Sequence, residues 1–126
     1  DKCDAPSVAP LKLLSIVIPA RDEAGCIAAT VKHLHLELQM QSIDHEIVVV
    51  DDGSQDETWQ ILQTLEREGL PVVPIQNSPP HGFGRAIIRG LSVYRGDAVV
   101  IMMADESDDC RDVVRYWREL QKGVEC

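Results

Sequence analysis

The chain has 126 residues, which is enough for one domain with a buried core. Its 21 acidic and 12 basic side chains give a formal net charge of −9, which argues against a protein that binds nucleic-acid phosphates through a basic face. No apolar run reaches the roughly 20 residues of a membrane-spanning helix, and the four cysteines lack the short paired spacing of zinc or thioredoxin-type sites.

The chain begins with a stretch of low periodicity and then alternates between apolar runs and helical patterns. Residues 1–12 are expected to form a flexible leader, and residues 13–126 form one domain. The apolar run at residues 13–18 predicts a buried strand stopped by Pro19, which cannot donate to a ladder. Because the chain has no initiator methionine and ends in a strand-like segment, we expect it to be part of a longer protein.

A helix and the most strongly apolar strand of the chain come next. Four apolar side chains recur at helical spacing within residues 27–38, and Asp22 is the expected helix N-cap. Four β-branched residues at 47–50 predict a strand buried on both faces, as in a parallel sheet covered by helices. In the turn that follows, Ser54 and Glu57 fit a capping box for the next helix.

The second half of the chain continues the alternation. Two prolines in the strand-like run at residues 70–75 predict an edge strand. A glycine-rich loop at residues 77–84 leads into a helix that Gly96 is expected to end, and residues 98–103 predict another buried strand. A last helix is expected from about residue 109 to residue 122. This pattern predicts an α/β fold with a mostly parallel sheet, right-handed crossovers and helices on both faces.

Acidic side chains follow three of the predicted strands. Glu23 follows the first strand, Asp51 and Asp52 follow the second, and Asp105 follows the last. Because parallel strands end at one edge of a sheet, these acids gather in the crevice where open α/β sheets bind ligands. Carboxylates that share a crevice raise one another's pKa unless a positive charge lies between them. Mg²⁺ or Mn²⁺, held by one or two carboxylates and by substrate phosphates, fits that requirement.

Three ordered motifs resemble a known family. They read SIVIPARDE at residues 15–23, EIVVVDDGSQDET at residues 46–58 and GDAVVIMMAD at residues 96–105. With the spaced glycines between them, they resemble the nucleotide-sugar-binding half of the family 2 glycosyltransferases, which have the Rossmann-like GT-A fold. The three motifs are most similar to those of the polyprenyl-phosphate sugar transferases, the group that includes dolichyl-phosphate mannose synthase. The resemblance spans residues 14–123 and implies a truncated chain without the C-terminal acceptor half.

The resemblance also implies roles for individual residues. Those expected to bind the nucleotide are Pro19, Ala20, Arg21, Glu23, Asp51, Asp52, Gly82, Gly84 and Ala104. Glu23 would lie near the ribose, and Asp52 would meet the base. Asp105 matches the second acid of the family's Asp-x-Asp metal motif, whereas Met103 replaces the first acid, and Asp108 or its acidic neighbour would compensate as a ligand. No catalytic residue is assigned.

The acidic residues also have structural interpretations. Asp56 fits a helix cap better than a ligand, and Asp108 would stabilise the start of the last helix by roughly 0.3–1 kcal/mol through the helix dipole. His81, in the glycine-rich loop, is a candidate contact for phosphate.

Two function classes stay open. One is a metal-dependent glycosyltransferase of the hexosyltransferase type, and the other is a non-catalytic domain of this fold that binds a nucleotide or a partner, which Met103 favours.

The expected partners are a nucleoside-diphosphate sugar and, as acceptor, a polyprenyl phosphate at a membrane surface. We expect a cytoplasmic protein, at the cytoplasmic face of a membrane when intact, because the cysteine spacing fits free thiols in a reducing compartment. The chain alone is expected to bind the nucleotide without transferring the sugar, since no general base or acceptor platform follows Lys122.

Overall fold

The computed structural model describes residues 12–104 and 110–123, and within them strands and helices alternate. The elements are β1 Leu14–Ala20, α1 Ile27–Met40, β2 His45–Asp51, α2 Thr58–Arg67, β3 Val72–Gln76, α3 Phe83–Leu91, β4 Ala98–Ile101 and α4 Cys110–Gly123. The strands lie in the order β3-β2-β1-β4, and every neighbouring pair is parallel. The predicted parallel α/β fold is therefore confirmed. None of the helices in the described part of the chain is long and apolar enough to cross a membrane.

Helices cover both faces of the sheet, as predicted. Successive side chains of a strand point to opposite faces, so β1 and β2 contribute to two separate cores. On one face, α1, α2 and α4 pack over side chains that include Ile16 and Ile47. On the other face, α3 packs over Val17, Val48 and Val50. The strand predicted to be buried on both faces is β2, whose residues 47–50 are fully buried.

Packing rather than capping holds α1. Its four predicted core residues, Ile27, Val31, Leu34 and Leu38, are all 0% exposed. Burying an aliphatic side chain of this size contributes about 1.5–3 kcal/mol. The N-cap residue, Cys26, makes no side-chain capping bond. The helical spacing of apolar residues therefore identified this element correctly without help from its first turn.

Two prolines show how the sheet tolerates a missing N–H. Pro74 lies in β3, which is an edge strand as predicted. Pro19 lies within β1 and does not stop it, contrary to the prediction. On β1, Val17 accepts a bond from Met102 on the β4 side, and Pro19 faces that same side two residues later. Because β4 ends at Ile101, Pro19 has no ladder bond to make there.

The predicted helix caps at two loops are wrong. Asp22 does not cap α1, because it adopts a φ of 54° and lies five residues before the helix. Its N–H donates to Ser54 Oγ at 2.9 Å, and its Oδ1 accepts from the N–H of Gln55 at 2.7 Å. Ser54 and Glu57 form no capping box on α2. Asp22, Ser54 and Gln55 instead join the β1–α1 loop to the β2–α2 loop.

The segment from α3 to β4 also differs from the prediction. The helix ends at Leu91 and does not continue to Gly96, whose N–H donates to Ser15 Oγ at 2.8 Å in the turn before β4. The strand covers only Ala98–Ile101, and it is partly buried rather than buried. Because β4 is an edge strand of the described sheet, Ile101 is 44% exposed.

The start of β1 is joined to the turn before β4. The backbone N–H groups of Lys12 and Leu13 donate to Asp97 Oδ2 at 2.8 and 2.9 Å. These bonds, with that of Lys12 first, hold the pKa of Asp97 below its ordinary value. The rest of the predicted leader, residues 1–11, lies outside the described residues.

The order of the strands locates the place where a ligand is expected. The chain builds β1, β2 and β3 in one direction and then returns to place β4 on the other side of β1. The carboxyl ends of β1 and β4 therefore flank a topological switch point. Open α/β sheets bind their ligands at such points, because the connections leave in opposite directions and a crevice opens between them.

Candidate functional site

A cleft of about 200 Å³ lies at this switch point, beside the start of α3. Its lining residues come from the ends of β1, β2 and β4 and from α3: Pro19, Ala20, Arg21, Glu23, Asp52, Gly82, Phe83, Ala86, Met103 and Ala104. Larger hollows of about 430, 480 and 300 Å³ lie elsewhere, the second of them lined by residues of α1 and α2. None of these three hollows is lined by a residue predicted to bind a ligand, so the smaller cleft is the candidate site.

Seven of the nine residues predicted to bind the nucleotide line the cleft, and Asp51 and Gly84 do not. Asp51 is 3% exposed, and its Oδ1 accepts the N–H of Ser54 at 2.9 Å, so its carboxylate closes the turn after β2. Gly84 is exposed in the first turn of α3. Phe83, Ala86 and Met103 also line the cleft, although none of them was predicted to bind the nucleotide. Phe83 and Ala86 do so because the first turn of α3 lies against the cleft.

Glu23 is held at the cleft by bonds between two loops. Its N–H donates to Thr58 Oγ1 at 3.0 Å, and the next N–H, of Ala24, donates to Asp56 Oδ2 at 3.1 Å. Asp56 Oδ1 also accepts the N–H of Thr58, the first residue of α2, but the N-cap position is Glu57 and has no side-chain capping bond, so Asp56 is not the predicted helix cap. The hydroxyl bond from Thr58 is the main cause that lowers the pKa of Asp56. The Glu23 side chain is thus carried by a backbone with a fixed course.

Asp52 forms a compact set of hydrogen bonds with the loop before α3. Its Oδ1 accepts from Asn77 Nδ2 at 2.9 Å and lies 2.9 Å from His81 Nδ1, and its Oδ2 accepts the N–H of Gly82 at 2.8 Å. We call Asp52, Asn77, His81 and Gly82 the Asp52 cluster. Burial alone would raise the pKa of Asp52, but the bonds from Asn77, Gly82 and His81 together outweigh it and leave the pKa lowered. Because an ionised carboxylate only accepts, His81 Nδ1 is the donor.

Gly82 joins this cluster to the cleft. Its φ of 154° and ψ of 152° fall in a region that is essentially open to glycine alone. That conformation lets the residue donate to Asp52 and begin α3, whose Ala86 N–H bonds to the Gly82 carbonyl at 2.9 Å. The residue also lines the cleft, so the wall of the site depends on where Asp52 holds this backbone.

Met103 and Ala104 form the wall that follows β4. Ala104 is buried, and its carbonyl accepts the hydroxyl of Thr30 on α1 at 2.8 Å. Met103 is 37% exposed and lines the cleft beside it. Its thioether is a soft ligand, poorly suited to the hard cations Mg²⁺ and Mn²⁺. This wall therefore offers shape and apolar contact, and Asp105 is the next residue in the sequence.

The cleft can be compared with known proteins. A sequence model of the family described as Glycosyl transferase family 2 matches residues 15–126. The chain belongs to that family. The predicted resemblance to family 2 glycosyltransferases is therefore confirmed, and the cleft is the candidate site of a family 2 glycosyltransferase domain.

Relatives of this family 2 domain include an undecaprenyl-phosphate 4-deoxy-4-formamido-L-arabinose transferase from Pseudomonas fluorescens. It is 32% identical over 117 residues, which are 92% of this chain and 34% of that protein. The chain thus spans about a third of the length of the curated relatives it matches. This relative belongs to the class of polyprenyl-phosphate sugar transferases that the sequence motifs resemble.

Solved structures of glycosyltransferases share the fold. Mannosyl-3-phosphoglycerate synthase from Rubrobacter xylanophilus matches with a TM-score of 0.63 and 29% identity, over 79% of this chain and 32% of that one. A mannosyltransferase from Pyrobaculum calidifontis, in complex with GDP-Man and Mn²⁺, matches with a TM-score of 0.68 and 22% identity, over 91% of this chain and 34% of that one. The predicted GT-A fold is therefore confirmed.

The metal ligands predicted for this family 2 domain, Asp105 and Asp108, lie outside the described residues. Within residues 12–104 and 110–123, no group of three or more His, Cys, Asp or Glu side chains could hold a metal ion. Of the described carboxylates at the cleft, Glu23 is partly buried and Asp52 already accepts three hydrogen bonds. The metal assignment therefore stays a prediction.

Proposed function

We propose that this family 2 glycosyltransferase domain binds a nucleoside-diphosphate sugar in the cleft, and that the longer protein transfers the sugar to a polyprenyl phosphate. The observation that carries the proposal is the convergence of charged and apolar side chains on one cleft at the switch point of the sheet. The transferase activity of the Pseudomonas fluorescens relative supports this function over a non-catalytic domain of the same fold.

The two sides of the cleft suit different parts of the donor. Arg21 brings a positive side chain, and the N-terminus of α3 brings backbone N–H groups and the positive end of a helix dipole. Both favour a diphosphate. Glu23 can accept hydrogen bonds from ribose hydroxyls, and Phe83 with Met103 offers apolar surface for a ring. The cleft has a volume of about 200 Å³. Pockets that hold a whole small-molecule ligand usually occupy roughly 300–1,000 Å³, so this cleft suits one portion of the donor.

Asp52 and Asp51 take different parts in this proposal. Asp52 borders the cleft with one acceptor position left after its three bonds, because a carboxylate has about four lone-pair sites. A bond to the base is compatible with that position. Asp51 contributes through the turn that it closes and not through direct contact, since its side chain lies away from the cleft.

A divalent cation, Mg²⁺ or Mn²⁺, completes the proposed donor site. We assign Asp105 and Asp108 as its protein ligands, with the diphosphate oxygens of the donor as the others. The described residues fit this assignment, because Ala104 lines the cleft directly before Asp105 and Met103 adds no hard ligand. When bound, the cation would neutralise charge on the departing diphosphate. The Mn²⁺ in the Pyrobaculum calidifontis mannosyltransferase supports the use of such an ion.

The acceptor and the location follow from the same comparison. An acceptor with a polyprenyl chain resides in a membrane, so the intact protein would work at a membrane surface, on the cytoplasmic side. The relative whose name includes undecaprenyl phosphate supports this acceptor class.

Calorimetric titration of the chain with UDP and GDP, each with and without Mn²⁺, tests the donor site. We expect one of the two to bind, and to bind more tightly with Mn²⁺, because the ion bridges carboxylates and diphosphate. Glu23→Ala should raise the Kd about tenfold or more, since a bond to a charged acceptor contributes roughly 1.5–3 kcal/mol. Glu37→Ala, a change at a partly buried glutamate on α1, is the matched control.

Two results would contradict the proposal. One is the absence of binding of either nucleotide by the folded chain under all four conditions. The other is an equal loss of affinity in Glu23→Ala and Glu37→Ala. Transfer itself is tested on the longer protein, with a labelled donor and undecaprenyl phosphate as the acceptor.

A further inference from the structure

The Asp52 cluster uses donors from a single loop. Asn77, His81 and Gly82 all lie between β3 and α3, while Asp52 directly follows β2. The N–H of Asn77 also donates to the carbonyl of Asp51 at 2.9 Å, so the loop is joined to the end of β2 at its first and last residues. Asp52 is only 4% exposed, and most of the hydrogen-bonding capacity of its carboxylate is used by groups of the same chain.

The ring of His81 also lies close to the backbone of Gly53. The imidazole lies against Gly53, where a Cβ would come within 2.7 Å of Nε2 and 2.8 Å of Cε1. Gly53 has a φ of +81°, so glycine is favoured there by conformation as well as by this close approach. The ring is therefore held between the Asp52 carboxylate on one edge and the Gly53 backbone beneath it, and its side chain remains 27% exposed.

We propose that His81 is a positioning residue for the donor site: its Nδ1–H, bonded to Asp52, fixes the loop that carries Gly82 and Phe83 into the cleft. The inference rests on the proposed function, because it takes the cleft as the nucleotide site. His81 acts through Asp52 and the loop, without contact to the donor. A loop that leaves Asp52 would release the Gly82 N–H and move one wall of the site.

This role also changes how a mutation at Asp52 is interpreted. Asp52→Asn would weaken both a bond to the base and the bonds that hold the loop, so it cannot separate the two. His81 can separate them, because it is absent from the lining of the cleft and bonds to the carboxylate from the loop side. Variants at His81 therefore isolate the positioning effect.

Two substitutions with opposite expectations form the test. In His81→Asn, the side-chain amide places an N–H close to the position of Nδ1 and can still donate to Asp52. In His81→Leu, a side chain of similar reach has no donor. His33→Leu, on the exposed face of α1, controls for a new surface leucine. If His81→Leu does not fold, His81→Gln replaces it, because its amide lies nearer to the position of Nε2.

Two measurements are made on each variant: amide hydrogen exchange at Gly82 by NMR, and the Kd for UDP and GDP with Mn²⁺. His81→Leu should speed the Gly82 exchange and raise the Kd, each by about tenfold, which corresponds to a bond to a charged group. His81→Asn and His33→Leu should stay within about threefold of the wild type in both. Rescue by asparagine is a result that loss of bulk alone would not produce.

The results that would overturn the positioning role of His81 differ from those that would overturn the proposed function. Unchanged Gly82 exchange in His81→Leu, or equal losses in His81→Leu and His81→Asn, would overturn the positioning role. If the wild type binds neither nucleotide, the proposed function fails and the role in the donor site fails with it. In that case the exchange data still show whether His81 holds the loop.

Discussion

The two ends of β2 each carry a buried acid, and the two acids use their oxygens differently. Glu46, at the start of the strand, is 6% exposed, and Asp52, just after its end, is 4% exposed. Glu46 accepts the N–H of Arg95, which follows α3, at 2.7 Å, and Asp52 accepts the N–H of Gly82, which precedes α3, at 2.8 Å. One strand therefore holds both segments that flank the same helix.

The difference lies in what surrounds each carboxylate. Glu46 directs one oxygen, Oε2, at both Ser15 Oγ and the Arg95 N–H, at 2.6 and 2.7 Å. Its Oε1 lies 3.7 Å from Arg95 Nε. A Cβ at Gly96 would come within 2.4 Å of the same Ser15 hydroxyl, so this end is tightly packed. Asp52 instead uses both oxygens and borders the cleft. The buried carboxylate of Glu46 thus stabilises the packing at the start of β2. The buried carboxylate of Asp52 positions the loop that borders the cleft.

Glu46→Leu should have the largest effect on stability. It would leave the buried Ser15 hydroxyl and the partly buried Arg95 N–H without their acceptor, and an unpaired donor costs up to about 1–3 kcal/mol when it is buried. We expect the free energy of unfolding to fall by about 3 kcal/mol, measured by urea denaturation followed by circular dichroism. Glu46→Gln is the control, because one amide oxygen can still face both donors. Its loss should be below about 1 kcal/mol. A loss that small in Glu46→Leu would show that the start of β2 does not depend on this acid.

Asp52→Asn should have the second-largest effect on stability. It should lower the free energy of unfolding more than Glu46→Gln does, although both changes replace one oxygen by an amide nitrogen. The donors reach both oxygens of Asp52, so an NH₂ group in either position faces another donor. We expect a loss of about 1.5–3 kcal/mol in the same denaturation experiment. Nucleotide affinity should weaken roughly ten- to a hundredfold, by calorimetry. Equal stability losses in the two variants would mean that the use of the oxygens does not distinguish the two ends.

Local patterns were sufficient for most of the fold. The β-branched run in β2 and the spacing of apolar residues in α1 predicted elements that are fully buried. Prolines placed β3 at an edge correctly, and carboxylates after the strands indicated the edge where the cleft lies. These predictions succeed because burial and strand pairing depend on the residues of the element itself.

Contacts between loops could not be predicted in the same way. Asp22 and Ser54 look like caps of the nearest helices, yet they bond to each other's loop across 32 residues of sequence. Asp52 and His81 are 29 residues apart and meet because the loop before α3 returns to the end of β2, where the N–H of Asn77 bonds to the carbonyl of Asp51. Sequence reasoning weighed His81 as a phosphate contact, and no local signal pointed to Asp52 as its partner.

Acid titration of Asp52 should have the smallest effect on stability. Burial favours the protonated form of Asp52, but the donors of the cluster outweigh it, so its pKa in the folded chain lies below the ordinary value of about 3.9. A carboxyl whose pKa is lowered by folding adds stability above the unfolded pKa, and that stability is lost as the pH falls through the folded pKa. Asp56 and Asp97 have pKa values shifted in the same direction, so the wild-type profile alone cannot isolate Asp52.

The difference between wild type and Asp52→Asn isolates the Asp52 cluster, because the titrating groups outside the cluster are common to both chains. His45, whose pKa is lowered chiefly by burial, also cancels in this difference. Asparagine does not titrate, so the stability gap between the two chains should be constant above about pH 5 and should narrow as the pH falls below about 4. Urea denaturation at a series of pH values from about 6 to 2 measures the gap. A gap that stays constant to the lowest pH would mean that the three donors hold Asp52 equally well when it is protonated, and the anchor would then depend on shape and not on charge.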